Sequence, residues 1–430
     1  MYGRSNNCCL ITPEKTGPGT GRQCAGLSFA KEFILKINRK DINKKEIVFV
    51  FLFVCVLIVL AFLPTGFEKQ IYLHSEGVQA DVVDVDNTGV YNNGLITQGA
   101  QDCKVRILTG THKGEVVSGT NYFSGKLEFD KVFDIGDTAW VLLEFDDGNN
   151  IISANMVDHY RINLEVILLC VFAVCLIAFS GFTGIRTLLS FAFALLSIWK
   201  ILIPCMLKGV HPILAALVVG NVLTIATLLL VAGFTRKAYT AIASSVLCSL
   251  VTCLLAVVMG DIFKISGAVM QWSESLLYAG FERLDLTGIF QAGIYLACSG
   301  AILDLAIDIS AALEEIHKNN PDISRKSLIG SGITIGRSVV GSQTTTLLLA
   351  YMGSYISVMM VYMAQGTPFM NILNSKMIAS EILHTLVGCI GLVLVSPLTS
   401  FICGFIYIRK KKSSVCTEGA RNLAEESLPE

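Results

Sequence analysis

Asp304 and Asp308 stand four residues apart in an otherwise apolar segment, 288–309, that is long enough to cross a bilayer. Side chains at i and i+4 share a helix face, so both carboxylates lie on one side of that segment. Carboxylates at bilayer depth are unfavourable unless they face a bundle interior or a water-filled path, where they serve proton or cation chemistry. Two so close can share a proton or hold Na⁺ or another hard cation. Asp308 also sits near a helix end, where Glu314, Glu315 and Lys318 follow, so a solvated position is the plainer reading for it. Asp304 lies one turn deeper.

A second polar stretch follows, Ser331-Gly332-Ile333-Thr334-Ile335-Gly336-Arg337, and then Gly341-Ser342-Gln343-Thr344-Thr345-Thr346. Arg337 is the natural counter-charge for the aspartates. Gln343, Thr344 and Thr345 can coordinate a solute or bind neighbouring helices together. Residues 328–340 are only moderately hydrophobic and contain Gly330, Gly332 and Gly336. They read as a helix lying on the cytoplasmic surface or re-entering, before 344–363 crosses. Gly293, Ala297 and Gly300, above Asp304, would let a neighbouring helix approach closely.

Glu381 and His384 lie three residues apart on one face of the final apolar run. The spacing suits a metal pair, a proton relay or a polar patch near the outer surface, and the patch is the simplest of these. Lys200 beside Trp199 reads as an interfacial cation, and Asn221 and Thr224 read as packing residues.

The elements that must carry these groups follow from composition. Of 430 residues, 53% are hydrophobic and 16% charged, with a mean hydropathy of +0.62. Soluble domains carry about 25% charge, so the chain reads as a polytopic membrane protein, mainly α-helical. Eight apolar runs reach the length of a span: 47–63, 164–182, 188–206, 212–234, 239–259, 288–309, 344–363 and 377–408. Ser396-Pro397 predicts a kink or break in the last. The fourteen cysteines lie mostly in these runs, where a thiol behaves as a small hydrophobe. No CxxC spacing occurs, Cys8, Cys9 and Cys24 make a poor metal set, and neither a metal nor a cofactor is expected.

Cations mark alternate ends of the runs. Lys36, Arg39, Lys40, Lys44 and Lys45 precede the first, then come Arg186, Arg236 and Lys237, the group Lys318, Arg325 and Lys326, and finally Arg409-Lys410-Lys411-Lys412. The opposite loops carry few, such as Lys208, Lys264, Arg283 and Lys376. The positive-inside rule then places both termini in the cytoplasm. The first run has no small-x-small cleavage site before Pro64-Thr65-Gly66 and reads as a retained anchor. The expected plan is a disordered cytoplasmic tail (1–46), an anchor (47–63), an extracellular β domain (64–161), a seven-helix membrane domain (162–408) and an acidic cytoplasmic tail (409–430). Gly17-Pro18-Gly19-Thr20-Gly21-Arg22 resembles a phosphate loop only superficially, since no strand precedes it and no GK[ST] follows.

Between 64 and 161 the pattern turns strand-like. Residues 78–85 alternate apolar and acidic, and 103–108, 115–119, 138–145 and 151–157 are each bounded by Gly, Asp or Asn turn signals. Five short strands fit a small OB-like β-barrel, and Ile135-Gly136-Asp137 reads as a barrel turn. Cys103 is the only cysteine there, so no internal disulfide forms. Tyr91, Tyr122, Phe123 and Trp140 make no evident stacking platform, and tethering or gating is at least as natural a role as ligand binding.

Two strings complete the picture. Gly300-Ala301-Ile302-Leu303-Asp304-Leu305-Ala306-Ile307-Asp308-Ile309-Ser310, continuing to Glu314-Glu315-Ile316, resembles the YibE/F family of bacterial membrane proteins. The resemblance runs on through Ser331-Gly332, Ile335-Gly336-Arg337 and Leu347-Leu348-Leu349-Ala350-Tyr351 and covers most of the chain. It implies one anchor, an outside β domain, a multi-span region and a transport role. It also implies an acidic residue after the arginine and an asparagine in the polar run, where this chain has Ser338 and Thr345.

These features lead to a secondary transporter or permease of unknown substrate in the cell membrane, coupled to H⁺ or another cation through Asp304, Asp308 and the 337–346 region. The alternative is a non-transporting sensor or scaffold that uses the β domain. Partners are the lipid bilayer, a small solute or ion, and a second copy or another membrane subunit. The near-neutral net charge of −1, without a basic stripe, offers nothing to nucleic acid. Without HExxH, GxSG with a paired His, or GxGD, enzyme chemistry is not expected. Without a Walker A motif, any ATP dependence needs a separate subunit.

Overall fold

The computed structural model describes residues 44–67, 74–146, 148 and 150–408. Most of the expected N-terminal tail, the glycine-rich string 17–22, Lys36, Arg39, Lys40, Cys8, Cys9, Cys24, the 409–412 cations and the acidic tail lie outside these residues. Residues 66–176 form one compact unit, and the described residues on either side of them form another.

The first unit contains six strands: β1 (Ser75–Asp86), β2 (Val90–Asn92), β3 (Thr97–Ile107), β4 (Val116–Ser124), β5 (Thr138–Phe145) and β6 (Ile151–His159). Five of them close a barrel in the order β1-β5-β6-β4-β3 and back to β1, while β2 pairs only with β3. All pairings are antiparallel except β4 with β6. The alternation visible in the sequence becomes the inward face: Val78, Ala80 and Val82 on β1, Cys103, Val105 and Ile107 on β3, Val141 and Leu143 on β5.

Phe133, from the β4–β5 connection, is fully buried among them. Two buried amides hold that connection. Gln101 Nε2 donates to the Phe133 carbonyl at 2.9 Å, the Phe133 amide donates to Gln101 Oε1 at 3.1 Å, and Asn121 Nδ2 donates to the Lys131 carbonyl at 2.6 Å. At the expected turn, Gly136 has φ of 97°, which only glycine adopts freely. Trp140 packs over Gly77, where a Cβ would meet Trp140 Cζ2 at 2.5 Å. The inward face is formed by the barrel's own apolar side chains.

Among the described residues there are eight long helices, α1 (Lys44–Phe62), α2 (Ile162–Ser180), α3 (Phe182–Leu207), α4 (Pro212–Ala232), α5 (Arg236–Ile262), α6 (Leu286–Asn319), α7 (Arg325–Ala364) and α8 (Lys376–Tyr407), of which α2 up to residue 176 groups with the strands. Among the described residues, seven of these, α2 to α8, are long and apolar enough to cross a membrane. The expected first span is helical, but its apolar part, Val48–Phe62, is shorter. α1 packs on α3 through edge-to-face contact of Phe53 with Phe193, ring centroids 4.9 Å apart. α2 carries no buried residue, and α3 contains a π-turn at Ile198–Leu202 that includes Lys200.

α6 and α8 form the centre of the bundle, each in contact with α5 and α7 and with one another. Small and hydroxyl residues set these contacts, as expected where lipid provides no hydrophobic drive between helices. A Cβ on Gly391 would meet Thr252 Oγ1 at 2.7 Å, and one on Gly220 would meet the Tyr295 hydroxyl at 2.6 Å. Thr240 Oγ1 lies 3.0 Å from the Tyr407 hydroxyl, which donates to the Ser310 carbonyl at 3.2 Å, tying α5, α8 and α6 together. Asn221 accepts from Ser249 Oγ at 2.8 Å, and Thr224 is buried, both in packing positions.

Two expectations need correction. The stretch 328–340 is not a separate surface or re-entrant helix: α7 runs unbroken for 40 residues. Its glycines are the reason. Gly332 seats against Ser400 and Leu313, and Gly336 against Ser396 and Ile309. These close approaches seat the polar half against α8 and α6. At 1.5 Å per residue α7 spans roughly 60 Å, about twice the hydrocarbon thickness, which accommodates a half as polar as 325–343. Of the kink or break expected at Pro397, the break does not occur: α8 continues through that residue.

Candidate functional site

Ser375 caps α8, its hydroxyl accepting from the Ile378 amide at 3.4 Å. Glu381, in the following turn, faces inward and is only 6% exposed. Its Oε1 is buried and, among the described residues, has no hydrogen-bond partner. The same holds for His384 Nε2 and Thr385 Oγ1 on α8, and for the Tyr351 hydroxyl on α7. The His384 and Tyr351 rings lie 4.4 Å apart. Four polar atoms buried without partners on two adjoining helices depart from the general rule that such groups are satisfied.

Beside them is a cavity of about 250 Å³ between α7 and α8. Leu348, Met352, Tyr355 and Met359 line it from α7, and Ile378, Glu381, Ile382, Thr385 and Leu386 from α8. Leu373, from the short helix Phe369–Leu373, also lines it. A carboxylate in an apolar wall must be protonated or neutralised by a cation. The arrangement therefore has the chemistry for reversible binding of a positive charge. Among the described residues no group of three or more His, Cys, Asp and Glu side chains could hold a metal ion, so no third side chain of these types joins Glu381 and His384.

The aspartates are placed differently. Asp304 and Asp308 share a face of α6, and that face points out of the bundle, both side chains being exposed. The close helix approach expected there does not occur, since a Cβ on Gly293 or Gly300 would meet nothing within 4 Å. Arg337 and Thr345 also point outward from α7, and no ion pair joins Arg337 to either aspartate. Gln343 and Thr344 are half-buried. Thr344 Oγ1 donates to the Val340 carbonyl at 2.7 Å and Thr345 Oγ1 to the Gly341 carbonyl at 3.0 Å, so both hydroxyls are satisfied on their own helix.

The structure thus unites Glu381 and His384 with two residues that spacing alone did not single out, Tyr351 and Thr385. The available signals were slight. Tyr351 ends the string 347–351, and Thr385 follows Glu381 by four residues, on its face.

A bundle of long apolar helices attached to a closed β-barrel defines a polytopic, membrane-embedded protein. The family model described as YibE/F-like protein matches residues 168–409, more than half of the chain, and the chain belongs to that family. No curated protein and no solved structure matches it.

Proposed function

We propose that this chain is a secondary transporter or permease, coupled to H⁺ or another cation, and that Glu381 is the coupling carboxylate. The observation that carries the reading is the burial of Glu381 in the bundle with an oxygen that no group among the described residues satisfies. A carboxylate in that position is strongly unfavourable as a bare anion, so its charge state must follow the binding of a proton or cation. Asp304 and Asp308, exposed on α6, lie outside this coupling site. The exposure of these aspartates and of Arg337 is compatible with contact to a second copy or another membrane subunit. No enzyme chemistry is assigned.

The topology proposed with this function has eight spans, α1 to α8, both termini in the cytoplasm and an OB-like barrel on the outside of the cell membrane. The flanking cations support that orientation. The apolar core formed by the barrel's own side chains supports tethering or gating over ligand capture inside it.

The test is ion and solute flux in proteoliposomes under an imposed pH gradient, read by an interior pH dye, for wild type, Glu381→Gln and Asp304→Asn. Coupled flux that vanishes in Glu381→Gln and persists in Asp304→Asn is the expected result. Flux that survives Glu381→Gln overturns the assignment of the carboxylate. A folded wild type that moves no solute or ion overturns the transporter itself.

A further inference from the structure

We infer that the cavity between α7 and α8 binds a small lipophilic organic monocation, its charge neutralised by Glu381; the inference rests on the transport reading and names its substrate class. The cavity walls are aliphatic and thioether side chains, chiefly Leu348, Met352, Met359 and Leu386, with the Tyr355 ring among them. Glu381 is the one acidic residue in the lining, and neither lysine nor arginine joins it. An anion therefore finds no counter-charge.

A bare inorganic cation fares little better. Na⁺ or Ca²⁺ stripped of water needs about six or more oxygen donors, and the lining offers one carboxylate and the hydroxyls of Thr385 and Tyr355. An organic cation with a diffuse charge needs no such shell. It requires one buried counter-charge, apolar contact and an aromatic face, all of which line this cavity. The volume, about 250 Å³, suits a molecule at the small end of ligand size. Leu348, Met352 and Leu386 are themselves exposed at the outer surface of the bundle, so such a guest can arrive from the bilayer.

The probe is benzyltrimethylammonium, titrated calorimetrically against the full-length protein in detergent, with its uncharged carbon isostere neopentylbenzene and with NaCl as comparison arms. Saturable binding of the cation, but not of the isostere or Na⁺, is expected for wild type. Glu381→Gln should weaken it by roughly tenfold or more, the factor that corresponds to losing one modest charge interaction, and Asp304→Asn should leave it intact. Should Glu381→Gln fail to fold, Met352→Trp fills the cavity without touching the carboxylate and should abolish binding by itself. Equal binding of cation and isostere, preference for Na⁺, or cation binding unmoved by Met352→Trp overturns the inference. Coupled flux without cation binding sinks the substrate class alone, and cation binding without any flux sinks the transport reading alone.

Discussion

The ring of His384 on α8 lies 4.4 Å from the ring of Tyr351 on α7, tilted by 32°, and this contact joins the two helices beside Glu381. It separates packing from chemistry at one residue. The Tyr351 hydroxyl has no hydrogen-bond partner, so Tyr351→Phe removes no bond and should change stability by less than about 1 kcal/mol. Tyr351→Ala removes the ring and should cost about 2 kcal/mol or more. Thermal unfolding of the detergent-solubilised protein checks both, and a large loss in Tyr351→Phe would show that the hydroxyl is bonded after all.

The glycines of α7 fall into two sets with opposite expected responses. A Cβ on Gly336 would overlap Ser396, whereas one on Gly341 meets nothing within 4 Å. Gly336→Val should therefore destabilise the α7–α8 contact by roughly 1–3 kcal/mol. Gly341→Ala should be neutral or stabilising by up to about 1 kcal/mol, through helix propensity. Comparing the two melting temperatures tests the packing directly, and equal losses would contradict it.

In the barrel, Gln101 holds both the amide and the carbonyl of Phe133. Gln101→Leu leaves those two backbone groups buried and unpaired, with an expected cost of about 2–3 kcal/mol. Hydrogen exchange localised to the 126–137 connection should rise in this variant. Unchanged protection there would mean that the amide is not what pins Phe133.

Cys103 provides a prediction in pH. Burial, and secondarily the neighbouring Asp102, push its thiol from 9.0 to about 11. Folding thus favours the protonated form. The stabilisation is complete below pH 9, where both states are neutral thiols, and fades between pH 9 and about 11 as only the unfolded chain ionises. At pH 8 about one thiol in a thousand is thiolate. Iodoacetamide should leave Cys103 unmodified in the native protein and label it in denaturant, as read by peptide mass spectrometry. Native labelling at a free-thiol rate would show an open barrel.

Local patterns made much of the architecture legible. Apolar runs located the seven long membrane-competent helices, because span length depends on composition alone. Alternation located five strands, one of them, 138–145, with the bounds of β5. The short β2 escaped, since three residues carry no period. The continuity of α7 escaped as well: glycines scattered through a polar stretch look like a break until Ser396 and Ser400 are known to lie against them.

The candidate site divides along the same line. The sequence by itself showed which ionisable residues fall within the apolar runs, Asp304, Asp308, Glu381 and His384 among them. It could not say which of them face inward. An acidic pair at helical spacing is equally consistent with a buried or an outward face, because spacing defines a face and not what the face meets. Only the tertiary structure decided that, by packing Ile302, Leu305, Ala306 and Ile309 of α6 into the core and so turning Asp304 and Asp308 outward. The same packing brought α7 against the start of α8 and enclosed Glu381. The physical reason is that helix rotation is set by close approach at small residues far apart in the chain, Gly336 to Ser396 and Gly391 to Thr252, and no local pattern carries that information.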